Sequence, residues 1–128
     1  MKKIEAMGKY DVYIEYWKQH IHDDDQSEET LRKLKGLAAK CARILVEKYG
    51  ASKVYLIGSL AREMGVHEDS DIDLVVEGLR PEIYFSTLSY LDNEVLRGVK
   101  LDLIPLEDAF ESVVRRVERE GKLLYARE

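Results

Sequence analysis

Val54-Tyr55-Leu56-Ile57-Gly58-Ser59-Leu60-Ala61-Arg62 is an apolar run that ends on a Gly-Ser bend. After a short loop comes Ser70-Asp71-Ile72-Asp73-Leu74-Val75-Val76, and later Val99-Lys100-Leu101-Asp102-Leu103-Ile104. Strands are predicted at Lys53 to Gly58, Asp71 to Glu77 and Val99 to Leu106. Carboxylates inside apolar strands are costly unless something offsets their charge. In a strand Asp71 and Asp73 share one face while Ile72 and Leu74 take the other. Asp102 repeats the pattern between Leu101 and Leu103. Adjacent carboxylates repel, and a divalent cation removes the conflict. If the two strands are neighbours, the three acids can share a metal pair, and hard oxygen ligands suit Mg²⁺.

The Gly-Ser bend adds a phosphate to this picture. Gly58 permits close approach to the backbone. A helical turn from Leu60 to Glu63 would present N–H groups to an anion. The Ser59 hydroxyl and the Arg62 guanidinium can then touch a triphosphate tail. Each part alone has a plainer reading. Asp-x-Asp is most often a pair of solvated acids, Gly-Ser is usually only a turn, and Asp102 could be a charge that protects a sheet edge. Arg62 could pair with Glu63, Glu68 or Asp69 instead. The ordered combination favours a metal and a nucleotide.

The remaining sequence predicts helices around a small sheet. Met7, Tyr10, Ile14, Trp17 and Ile21 recur at helical spacing, with Tyr13 and Tyr16 beside them. That aromatic face is either an interface or a packed surface. His20 to Ser27 is polar and is expected to break this helix from the next, which Ser27 would cap. Leu31, Leu34, Ala38, Cys41, Leu45 and Tyr49 form the buried stripe of the second helix, and Gly50 stops it. Pro81 opens a third helix with Tyr84, Leu88, Leu91 and Val95 on one face, and Gly98 ends it. Asp108 and Glu111 resemble a capping box for a fourth, whose inner face is Phe110, Val113, Val114 and Val117. Lys122 to Tyr125 is either a short strand or a tail packed on the core.

The chain of 128 residues fits one domain: an N-terminal helical extension over 1–26 and a core over about 27–128. The expected class is α/β (α+β), a small mixed sheet flanked by helices. No apolar run reaches the roughly 20 residues of a membrane helix, and the expected location is the cytoplasm. The single cysteine, Cys41, excludes an internal disulfide and reads as a buried thiol. A net charge of -5 argues against a dedicated nucleic-acid binder and leaves a nucleotide allowed. His20, His22 and Asp23 to Asp25 read as a solvated helix end, and His67 as solvated. Arg115, Arg116, Arg119 and Lys122 form a modest basic cluster that reads as a solvated helix face, with help to a triphosphate or RNA as the alternative, since clustered charge can steer anions.

Gly58-Ser59, Asp71-x-Asp73 and Asp102 together resemble the nucleotidyltransferase superfamily of DNA polymerase beta, and in particular its minimal nucleotidyltransferases. The resemblance runs from Val54 to Tyr125 and includes the ending Glu120-Gly121-Lys122-Leu123-Leu124-Tyr125. It departs at Arg62-Glu63-Met64-Gly65, where many relatives carry Ala-Arg-Gly. It implies two Mg²⁺ ions held by Asp71, Asp73 and Asp102, and transfer of a nucleoside monophosphate, AMP from ATP being expected, to a hydroxyl. Gly58, Ser59 and Arg62 would bind the leaving pyrophosphate. The favoured acceptor is a tyrosine of a partner HEPN toxin. The alternatives are a non-catalytic antitoxin-like module that sequesters a partner and, ranked lower, a small-molecule nucleotidyltransferase. A homo-oligomer and a nucleic-acid contact are left open.

Overall fold

The computed structural model describes the backbone from Ile21 to Glu128 and the side chains from Glu28 onward. The first expected helix, with its aromatic face, lies outside the described residues, as do the side chains of His20, His22 and Asp23 to Asp25. The described elements are α1 (Ile21–Glu47), β1 (Lys53–Ile57), α2 (Gly58–Arg62), β2 (Ile72–Glu77), α3 (Tyr84–Tyr90), β3 (Leu101–Pro105), α4 (Glu111–Glu120) and β4 (Lys122–Ala126). They build a mixed α+β unit on a four-stranded sheet in the order β3-β2-β1-β4.

β1 runs antiparallel to both β2 and β4, while β2 and β3 are parallel. A parallel pair needs a crossover. The chain supplies it with a 3₁₀ turn at Pro81–Ile83, then α3, then a π-helical turn at Leu91–Leu96. The tail is thus resolved as a strand, since β4 pairs with β1. Its Tyr125 hydroxyl also donates to the Glu47 carboxylate at the end of α1.

Apolar alternation places the core. Leu34, Ala38, Cys41, Ala42, Leu45 and Val46 of α1 pack with Val54 and Leu56 of β1 and Ile72, Leu74 and Val76 of β2. Burying one such Leu or Val side chain contributes about 1.5–3 kcal/mol. Burial pushes the Cys41 thiol up to about 12, as an inert core group requires. Ile57 and Val75 are fully buried outside that cluster, on the opposite sheet face, which Asp73 shares.

Three local expectations fail. α1 is already helical at Ile21, so Ser27 caps nothing. Charged and amide side chains lower helix propensity by well under about 1 kcal/mol each, and without Gly or Pro they do not stop a helix. The capping box at Asp108 and Glu111 is not made. The chain first closes a 3₁₀ turn at Leu106–Asp108, and α4 starts at Glu111 with Phe110 in the cap position. Phe110 is consequently 82% exposed rather than on the inner face. The third helix is shorter than its apolar stripe suggested, because the backbone switches to π geometry at Leu91.

Candidate functional site

Parallel pairing of β2 with β3 sets Asp73 directly opposite Asp102. Antiparallel pairing of β1 with β2 sets Ile57, the residue before the Gly-Ser bend, opposite Asp73. Ladder register therefore gathers the bend and two of the three acids at one end of the sheet. Asp71 lies just outside β2, exposed, with Asp102 also exposed and Asp73 half-buried. Burial is the main cause that raises the Asp73 carboxyl above its ordinary range, followed by the negative charges of Asp102 and then Asp71. Arg116 and Arg62 oppose that rise.

Gly58 has φ +83°, a conformation that favours glycine. A Cβ there would fall inside the contact distance of the Asp73 Oδ2 and 3.3 Å from its Cγ. The bend is packed onto the acid, with no room for a side chain between them. The helical turn expected after Ser59 is present as α2, with Ser59 half-buried in its first turn. It ends at Glu63 in the left-handed region, φ 58°, which explains why a glycine suits that place. Here Glu63 takes the strained position and pairs with Lys35 at 2.6 Å and Lys122 at 3.5 Å.

Arg62 pairs with none of Glu63, Glu68 and Asp69. Its Nη1 donates to both carboxylate oxygens of Glu120 at 3.1 Å. The Gly58 N–H donates to the same carboxylate at 2.8 Å, and Arg116 Nη2 lies 3.5 Å from it. These donors hold the Glu120 carboxyl below its usual range, the Gly58 amide being the largest cause. Glu120 is the member of the site that reading by strand and motif gave no role, while Arg116 had been read only as part of a basic cluster; the i,i+4 spacing on α4 brings the two together. The basic cluster divides accordingly: Arg116 faces the site, Arg115 pairs with Glu111 at 2.7 Å, and Lys122 serves Glu63. His67 is exposed in the loop, where its Nδ1 accepts the Asp69 N–H.

Tyr84, at the start of α3, donates its hydroxyl to the Leu103 carbonyl at 2.6 Å. That bond sets it on the β3 side of the acids, where burial and then the Asp102 charge raise its pKa. Among the described residues no group of three His, Cys, Asp or Glu side chains is arranged ready to hold a metal ion. The three aspartates suit a hard divalent cation in donor type, and the mutual repulsion felt at Asp73 is what such a cation relieves. Their side chains would need to turn toward one another to close on it. No helix among the described residues is long and apolar enough to cross a membrane.

Residues 39–128 match the family model for polymerase beta, nucleotidyltransferase. Two proteins of Methanocaldococcus jannaschii, both provisionally named protein adenylyltransferases, are similar to this chain. One is 35% identical over 89 residues, covering 68% of this chain and 89% of the relative. The other is 32% identical over 99 residues, covering 75% and 97%. Among solved structures, a crystal structure of a toxin-antitoxin with AMP-PNP shares the fold, with TM-score 0.58, 22% identity and coverage of 70% of this chain and 74% of that one. The matched span contains the Gly-Ser bend, all three aspartates and the Glu120 clamp, and its mixed sheet has the topology described above. This chain belongs to the polymerase beta nucleotidyltransferase family and is by class a nucleotidyltransferase.

Proposed function

We propose that this chain transfers AMP from ATP to a hydroxyl of a protein acceptor, with a tyrosine of a HEPN-type partner as that acceptor. The observation that carries the reading is the packing of Gly58 onto Asp73, itself set opposite Asp102. That juxtaposition sets the Gly-Ser bend, which in this reading would bind phosphate, beside two facing acids. The choice of AMP and of a protein acceptor draws on the relatives named protein adenylyltransferases. The partner draws on structural neighbours described as toxin-antitoxin complexes, one of them MntA-HepT.

In this reading Asp71, Asp73 and Asp102 would hold Mg²⁺. When bound, the metal would neutralise the triphosphate and lower the pKa of the acceptor hydroxyl. The Gly58 amide, Ser59, Arg62 and Arg116 would bind the departing pyrophosphate. The transition state spreads charge over the transferred phosphoryl oxygens, so positioning and electrostatics supply most of the rate. Asp102, exposed on β3, would orient the acceptor hydroxyl and accept its proton.

Incubation with MgATP and a purified HEPN-type protein tests this by intact mass. A shift of the acceptor by one or more AMP units is expected, and Asp102→Asn should remove it. A second reading, steric sequestration without transfer, is favoured by Phe85 and Phe110, exposed by 79% and 82%. It expects partner binding with no change in mass. An unmodified acceptor after prolonged incubation with wild type would sink the transfer reading.

A further inference from the structure

The Glu120 carboxylate sits against the Gly-Ser bend. It accepts from the Gly58 N–H at 2.8 Å and from Arg62 at 3.1 Å, with Arg116 at 3.5 Å. Its side chain is only 10% exposed. Glu120 is the last residue of α4. An acid at a helix C-terminus is disfavoured by the helix dipole, so helix stability does not account for it. A main-chain amide and two guanidiniums converging on one planar anion are the donors that recognise a phosphate.

We propose that Glu120 is a built-in phosphate mimic that plugs the anion site of the empty enzyme, keeps its donors aimed, and must be displaced by the pyrophosphate portion of the incoming nucleotide. The inference rests on the transferase reading for the identity of the displacing ligand. The plug lowers nucleotide affinity and preserves the site's shape. Arg62 and Arg116 are shared between Glu120 and the nearby Asp73 carboxylate, so removing the Glu120 charge frees them for an incoming anion. Displacement would release the far end of α4 and its junction with β4 at Gly121, and thus couple nucleotide entry to the C-terminal strand.

The test is calorimetric titration of the full-length protein with inorganic pyrophosphate, and separately with MgATP. Glu120→Gln keeps the size of the side chain and removes its charge. It is expected to bind pyrophosphate about tenfold tighter than wild type, the scale of one charge-assisted hydrogen bond no longer competed for. Glu120→Asp, which keeps the charge but shortens the reach to Gly58, should give a smaller gain and serves if the first variant is poorly folded. In wild type the Gly58 amide resonance should move as pyrophosphate is added. Equal or weaker binding by both variants, or a Gly58 resonance that stays in place while pyrophosphate binds, overturns the plug. If the variants bind tighter but no acceptor is ever modified, the transferase reading fails and the plug stands. If transfer proceeds with no gain in affinity, the plug alone fails.

Discussion

Gly58→Ala separates backbone strain from the packing of the bend onto the acid. Gly50 and Gly58 have nearly the same φ, +82° and +83°, but a Cβ at Gly50 meets nothing within 4 Å. Gly50→Ala therefore reports strain alone, about 1–2 kcal/mol for a left-handed alanine. Gly58→Ala adds the collision with Asp73. Forcing atoms into a filled site costs about 1–3 kcal/mol more. The total is about 2–5 kcal/mol, and the melting temperature should fall by about 3–5 °C per kcal/mol in a chain of this size. Urea unfolding of both variants measures the difference directly. Repeating it in an Asp73→Ala background closes the cycle. With the carboxylate gone, Gly58→Ala should cost no more than Gly50→Ala, which makes the coupling about 1–3 kcal/mol. Equal costs for the two glycines in the wild-type background, or no coupling to Asp73, would refute the claim that the bend rests on that carboxylate.

Asp73 and Asp102 should separate when stability and transfer are measured together. Asp73 is half-buried, and its raised pKa means that the folded state holds its proton more tightly than the unfolded chain. Its charge thus destabilises the metal-free protein as pH rises above the ordinary carboxylate range. Asp73→Asn should raise the melting temperature at pH 7 without metal, whereas Asp102→Asn at its exposed site should leave it within about 0.5 kcal/mol of wild type. Each should reduce transfer by at least about 100-fold, as expected for losing a metal ligand; stabilisation by neither variant would contradict the burial argument. Glu120 has the opposite sign. Its lowered pKa contributes stability that is complete above the ordinary value of 4.5 and lost as pH falls through the depressed one, so Glu120→Gln should flatten that part of the acid-unfolding curve. Cys41, with its thiol near 12, should resist alkylation at pH 8 until the protein unfolds, and rapid modification of the native protein would place it outside the core.

Periodicity and composition alone specified much of this molecule. Period-two alternation around Asp71, Asp73 and Asp102 marked two strands with acids on one face, because side chains in a strand must alternate. The run Leu34, Ala38, Cys41, Leu45 marked the helix that covers the other face, because helical spacing returns to one side every three or four residues. Gly58 was legible as a bend because only glycine takes its φ without strain. All of these signals are local.

Other features depended on contacts between distant parts of the chain. That Asp73 stands opposite Asp102 follows from the parallel register of β2 and β3, which the crossover and the shared core select. Glu120 reaches Gly58 across 62 residues, and nothing near either position announces the pair. A separation of 58 residues likewise hid the partner of Arg62, for which nearer acids looked sufficient. Asp108 and Glu111 show the converse: a good local capping pattern was overruled where the chain had to turn after β3. Backbone geometry and burial periodicity are written residue by residue. Which charges meet is settled only when the sheet closes, because an ion pair depends on distance in space and not along the chain.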